Sequence, residues 1–319
     1  MWNFITAALA RKIEVWMATD RPLAAVAPVC VWKAGRELGE GSWWSAAEQG
    51  LYWIDIKNPA ILRLIPSTGE QAIWSLSEMI GCCAPLAGGG LIAGMASGFY
   101  RLDLGLPGSE PSRSLVHCPQ HHIGSDRFND GKVHPDGSFW AGSMDDEECA
   151  TRGFYYRLAP SGEVTIIAGP YKVCNGPAFS PDGRFAYLAD SAAQIVHRLD
   201  LAAGIAAPEP FLRFTEGEGH PDGCTTDADG RLWIAFWDGA RVACFDPETG
   251  AQVIEISMPT PRPTSVSFGG PDLTTLYITT ARAPADSVHQ DGGGSLYAAE
   301  IEGARGWPVP QYRPIKELS

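Results

Sequence analysis

One pattern recurs six times along this 319-residue chain and leaves few folds open to it. A turn rich in Gly, Pro and Asp, where positive or fixed φ is wanted, is followed at once by a short β-prone run of apolar or aromatic residues. The runs open at Leu51, Leu91, Phe139, Phe185, Leu232 and Leu276, so successive members stand 40, 48, 46, 47 and 44 residues apart. A period in the forties fits four short antiparallel strands per unit. A second series keeps step with the first: Ile61-Leu62-Arg63-Leu64, Phe99-Tyr100-Arg101-Leu102, Phe154-Tyr155-Tyr156-Arg157-Leu158, Ile195-Val196-His197-Arg198-Leu199, Val242-Ala243-Cys244-Phe245 and Leu296-Tyr297-Ala298-Ala299 each read as the next strand. No helix-period segment of useful length lies between them. Two series with six members each predict an all-β chain, a six-bladed β-propeller with four antiparallel strands per blade. A ring must also be closed, and Val29-Cys30-Val31-Trp32 is placed to add an N-terminal strand to the last blade, which removes an exposed edge. The expected organisation is an N-terminal extension over 1–27 and one propeller domain over 28–319.

Composition narrows the function classes. The formal charge is −13 and no Lys/Arg cluster interrupts the acidic residues, which argues against nucleic acid and anionic membrane as partners. Eight cysteines show no zinc-type spacing, and the vicinal Cys82-Cys83 pair cannot easily close on itself. Buried reduced thiols of a cytoplasmic protein are expected. The apolar run 5–10 is short for the core of an export signal, and Arg11-Lys12 lies on its wrong side. No window approaches the ~20 apolar residues of a membrane-spanning helix.

Counting back about ten residues from each strand opening reaches Glu40, Gly81 or Cys82, Asn129, Asn175, Asp222 and the stretch 264–266. The innermost strand of every propeller blade runs along the central channel, so a residue just ahead of it is expected near one channel mouth. Taken singly, an Asn-Gly or Asp-Gly pair reads as a turn. Four acidic or amide residues in one repeat slot should instead converge on one point. Two carboxylates and an amide give an all-oxygen set that suits a hard divalent cation such as Ca²⁺, Mg²⁺ or Mn²⁺ and leaves coordination positions open.

Five stretches carry a family resemblance over nearly the whole chain after residue 28. Leu38-Gly39-Glu40-Gly41, Arg127-Phe128-Asn129-Asp130-Gly131-Lys132, Phe139-Trp140-Ala141-Gly142-Ser143-Met144, Asn175-Gly176-Pro177-Ala178-Phe179-Ser180-Pro181-Asp182-Gly183 and Pro221-Asp222-Gly223 stand in the order found in the regucalcin (senescence marker protein), gluconolactonase and luciferin-regenerating enzyme family. The chain resembles that family, and its closing segment is similar to the bacterial aldonolactonases within it. The resemblance implies a six-bladed propeller with one divalent cation in the channel (Ca, Zn, Mg, Mn or Fe) and hydrolysis of a small-molecule sugar lactone. It implies Glu40, Asn175 and Asp222 as metal ligands, Arg127 and Asn129 as substrate contacts, and a further acidic contact at Glu147 with the register open by one residue.

The same resemblance leaves two candidate bases, Asp222 and Asp130. It also leaves other activities open: a related metal-dependent esterase or organophosphate hydrolase, or a Ca²⁺-binding regulatory propeller without catalysis. A monomer or weak homo-oligomer is expected. His121-His122, Cys174 and Cys224 read as packing residues, because adjacent strand residues face opposite ways and thiolates do not suit a hard oxygen set. Trp43, Trp44, Trp53, Trp140, Trp233 and Trp237 read as core, with one or two of them free to meet a sugar ring.

Overall fold

The computed structural model describes residues 22–315 apart from 121, 203, 205–206 and 284–291. Residues 1–21 of the expected extension, and His121, lie outside the described residues. Six antiparallel sheets stand in a ring, one per blade. Their innermost strands are Gly39–Ser45, Ile80–Pro85, Asp126–Val133, Cys174–Phe179, His220–Thr226 and Pro263–Gly269. The six recurring strand openings mark the second strands, Gly50–Asp55, Leu91–Met95, Phe139–Asp145, Phe185–Asp190, Leu232–Trp237 and Thr275–Thr280. The second series marks the third strands.

In blades three, four and five the turn that leads into the second strand is held by an aspartate. Asp136 Oδ1 accepts from the Ser138 N–H, Asp182 Oδ1 from Arg184 N–H, and Asp227 Oδ1 from both Asp229 and Arg231 N–H groups. This is the local reason why the two Pro-Asp-Gly signals, and the Asp227 that precedes Ala228-Asp229-Gly230, reverse the chain where they do.

The apolar core is divided into six layers, each filling the gap between neighbouring blades. Trp43, Tyr52 and Trp74 of blade one pack toward Ile80, Ala93 and Met95 of blade two, while Trp233 of blade five meets Phe268, Leu276 and Ile278 of blade six. Trp53, Trp140 and Trp233 are completely buried in such layers. Fully burying one large apolar side chain contributes roughly 2–3 kcal/mol, so the blades stabilise one another as a ring and not one by one.

Ring closure uses the N-terminal chain. Val29–Trp32 and Ala24–Ala25 both pair antiparallel with Leu296–Glu302 of blade six. The closing segment therefore begins upstream of the expected boundary at residue 28.

A C-terminal tail seals the far side. All six innermost strands start at one face of the ring and end at the other, and the tail after Glu302 crosses the face where they end. Ala228 N donates to Arg305 O at 2.8 Å, and Trp307 Nε1 to Thr226 Oγ1 at 3.0 Å. Further on, Ala87 N donates to Tyr312 O at 2.9 Å and Arg313 N to Gly137 O at 3.1 Å. The tail thus touches blades five, two and three. All eight cysteines are free. Among the described residues no helix is long and apolar enough to cross a membrane.

Candidate active site

Every innermost strand slips register against its second strand near its start. The slips fall between Glu40 and Trp43, Ile80 and Cys82, Phe128 and Asp130, Asn175 and Ala178, Pro221 and Cys224, and Pro263 and Ser265. Such a bulge leaves a residue unpaired and re-aims its side chain. Gly81, Asn129, Asp222 and Thr264 lie within these bulges, and Glu40 and Asn175 are the last paired residues before theirs. The expectation from sequence put the slot just ahead of the innermost strand. It lies inside that strand, because the bulge and not the strand end frees the side chain.

The six bulges are not equally open. At Gly81 a Cβ would stand 2.0 Å from the Phe128 carbonyl oxygen, so blade two contributes bare backbone and lets blade three approach. Thr264 turns its hydroxyl away, donating to Gly39 O at 2.5 Å with Thr279 Oγ1 at 2.8 Å. Blades one, three, four and five supply the side chains. After Asn175 the chain takes a left-handed step at Gly176, with φ of 79°, a conformation glycine adopts without steric cost.

Glu40, Asn129, Asn175 and Asp222 line one cavity of about 350 Å³ together with Arg127. A hydrogen-bond relay fixes the amides within it. Arg127 Nη1 donates to Asn129 Oδ1 at 2.6 Å, and Asn129 Nδ2 donates to Asn175 Oδ1 at 2.8 Å. Asn175 Nδ2 donates to Ser191 Oγ at 2.9 Å, and Ser191 Oγ to Pro221 O at 2.6 Å. This chain of donors sets the amide of Asn175 so that its oxygen, not its nitrogen, keeps an acceptor position to spare. Ser191 is a positioning residue that the sequence reading did not reach; its own backbone oxygen accepts from His220 Nδ1 at 3.0 Å.

The acids carry the strongest electrostatic signal. Burial, then the nearby Asp130 carboxylate, pushes the Glu40 carboxyl up from 4.5 to about 8. Burial followed by repulsion from Glu40 and Asp130 raises Asp222 well above the usual carboxylate range. Asp130 is also raised by burial, opposed by Lys132 and by the N–H groups of Gly131 and Gly176 that it accepts at 2.7 and 3.0 Å. Asp222 Oδ1 is buried with no hydrogen-bond partner among the described residues. Three buried carboxylates that repel one another, one with an orphaned oxygen, fit a divalent cation: it would satisfy the free oxygen and remove the repulsion. The donor set is two carboxylates and an amide. Among the described residues no three His, Cys, Asp or Glu side chains form a metal cluster on their own.

The remaining candidates separate. Arg127 is buried, with Nε paired to Asp146, which also takes Lys57 Nζ at 2.6 Å. Asp130 lies behind the cavity wall and is engaged by backbone donors. Glu147 is exposed in the turn after Met144, whereas its neighbour Glu148 lines the cavity. Lys172, Trp237 and Asp238 also line it. Trp237 is thus the tryptophan that reaches the site, with the Arg262 guanidinium 4.4 Å from its ring. His122 packs against Phe128 and Tyr156, while Cys174 and Cys224 are fully buried.

Comparison with known proteins identifies the family. Residues 38–282 match the family model described as the SMP-30/gluconolactonase/LRE-like region. A 6-deoxy-6-sulfogluconolactonase from Pseudomonas putida is 38% identical over 79% of this chain and 86% of its own length. Among solved structures, luciferin-regenerating enzyme superposes with a TM-score of 0.83 at 27% identity, covering 89% of this chain and 99% of that one. A regucalcin from Agrobacterium tumefaciens, described as a calcium-binding protein, gives 0.82 at 26% identity, covering 90% and 97%. The chain belongs to the SMP-30/gluconolactonase/luciferin-regenerating enzyme-like family.

Proposed function

We propose that the chain hydrolyses a sugar lactone to the aldonic acid with the help of one divalent cation held by Glu40, Asn175 and Asp222. As a member of its family it is a lactonase, a hydrolase of cyclic esters. The observation that carries the metal reading is the orphaned, buried Asp222 Oδ1 in a cavity shared with Glu40 and Asn175. A bound divalent cation polarises a carbonyl oxygen and stabilises the negative charge that grows on it.

The protein's own groups supply the rest. Asp222 lines the cavity, so it takes the proton from the water that attacks the lactone carbonyl carbon and returns it to the ring oxygen as the acyl C–O bond breaks. Asp130 holds its carboxylate on backbone N–H groups behind the wall and is the weaker candidate. Arg127 keeps Nη2 free of protein partners among the described residues and donates it to a substrate oxygen, while Glu148 accepts from a sugar hydroxyl. The ring face of Trp237 covers the apolar side of the sugar.

One observation favours a second, narrower substrate class. Lys172 lines the cavity with no carboxylate partner among the described residues, whereas Arg127, Lys57 and Arg262 are all paired. Lactones with an anionic substituent are the substrates such a cation would favour. Both readings are tested by a pH-indicator assay over neutral and anionic pentono- and hexonolactones, using chelator-stripped protein reloaded with single cations. Stripped protein as active as reloaded protein would refute the metal reading. Asp222→Asn should lower kcat by about a thousandfold or more while leaving the unfolding transition cooperative, and near-normal turnover would remove Asp222 from its role.

A further inference from the structure

Beneath the cavity the channel narrows into a second chamber of about 70 Å³, closed from below by Trp307 and Pro310 of the tail. Lys132 enters it from the innermost strand of blade three. Its Nζ is buried without a hydrogen-bond partner and stands 3.8 Å from Asp130 Oδ2, an ion pair too long for a hydrogen bond. The ammonium lies within electrostatic reach of Glu40 and Asp222 as well as Asp130. Arg127 is paired with Asp146, which it shares with Lys57, and Lys172 stands at the wall of the upper cavity.

We propose that Lys132 is a built-in counter-cation that holds the affinity of the site for divalent metal below what its acids alone would give. Once all three carboxylates ionise, as they would around a divalent cation, Lys132 offsets one of the three negative charges and the cation the other two. Without Lys132 the same acids would hold a site one charge more negative. It would bind the cation more tightly, and a bound cation would leave the site with a net negative charge facing the substrate carbonyl. Lys132 is a positioning residue in this account, acting through the charge of the site and not on the substrate.

The inference rests on the metal reading of Glu40, Asn175 and Asp222, and the test separates the two. Divalent-cation dissociation constants are measured by calorimetric titration of chelator-stripped protein, with Ca²⁺ and Mn²⁺ as probes, for wild type, Lys132→Met, Lys132→Arg and the double variant Asp130→Asn/Lys132→Met. Lys132→Met is expected to bind at least about tenfold more tightly than wild type. Lys132→Arg, which keeps the charge, and the double variant, which restores the net charge, are both expected within about threefold of wild type. A mere packing lesion weakens metal binding, so the direction of change distinguishes charge from structure. Unchanged or weaker binding by Lys132→Met, or a double variant as tight as the single one, overturns the counter-cation role while leaving the metal reading intact. Wild type that binds neither probe overturns both.

Discussion

Replacing Glu40 by glutamine should make the metal-free protein more stable, and only above a defined pH. The folded-state carboxyl is raised from 4.5 to about 8, first by burial and then by Asp130. A carboxyl whose folded value lies above its unfolded value contributes stability that is whole below the unfolded value and is lost as pH rises through the folded one. The window therefore runs from 4.5 to about 8. Moving one carboxyl across it is worth about 5 kcal/mol. Glutamine cannot ionise, so the stability of Glu40→Gln minus that of wild type should be near zero at the acid end. It should climb by about 1.4 kcal/mol per pH unit and level off near 5 kcal/mol above the window.

Urea unfolding in excess chelator at intervals of one pH unit measures this difference directly. His122 and His197 are lowered by burial and so act in the opposite sense near neutrality, but they are common to both proteins and cancel. Divalent cation should narrow the difference, since a ligand that binds only the folded state at a hundred times its Kd adds about 2.7 kcal/mol to wild type, and the order should reverse only at the lower pH values where the metal-free difference is smaller than that. A difference curve that is flat, or that falls with rising pH, would refute the claim that burial and carboxylate repulsion hold Glu40 protonated in the absence of metal.

Ser191→Ala removes the acceptor that orients Asn175, so metal affinity should fall about 10- to 100-fold by titration with little change in the urea midpoint; unchanged affinity would show that Asn175 is oriented by other means. Gly81→Ala forces a methyl group against the Phe128 carbonyl 2.0 Å away and should cost about 3 kcal/mol or more, read as a fall in Tm or in soluble yield. A Tm within a degree or two of wild type would mean that blades two and three can separate at the channel.

Turn chemistry is local, which is why the repeat could be read from the sequence: an aspartate that accepts the N–H two residues on acts the same way wherever it stands, as Asp136 and Asp182 do. The innermost strands were harder to recognise. Cys174–Phe179 reads Cys-Asn-Gly-Pro-Ala-Phe and His220–Thr226 reads His-Pro-Asp-Gly-Cys-Thr-Thr, compositions that signal loops because the bulge needs Gly and Pro where a flat strand would not tolerate them. The four polar slots were nevertheless found, since the spacing to the next turn survives the bulge. Ser191, Trp237 and the tail carry no such spacing. Ser191 acts through the hydroxyl it places between Asn175 and Pro221, and the tail is held by contacts such as Trp307 to Thr226, 81 residues apart, which no local pattern encodes. Beyond Met144 the turn at Asp145 to Cys149 folds around the Asp145 carboxylate, which takes Cys149 and Ala150 N–H groups at 3.0 Å. That wrapping brings Glu148 rather than Glu147 to the cavity wall.

A sixfold repeat offers six equivalent places for acids, and electrostatics explains why they are not all used. Each further carboxylate in this buried space would raise its neighbours and lose its own charge, as Asp130 already does to Glu40 and Glu40 to Asp222. The fold closes the two spare slots by different means, at Gly81 by the approach of the Phe128 carbonyl and at Thr264 by a hydroxyl committed to Gly39. Asp130, the third acid, is the one whose carboxylate accepts from two backbone N–H groups and faces Lys132. On the proposed metal reading the asymmetry follows charge: the ring brings together only as many carboxylates as one lysine and one divalent cation would neutralise.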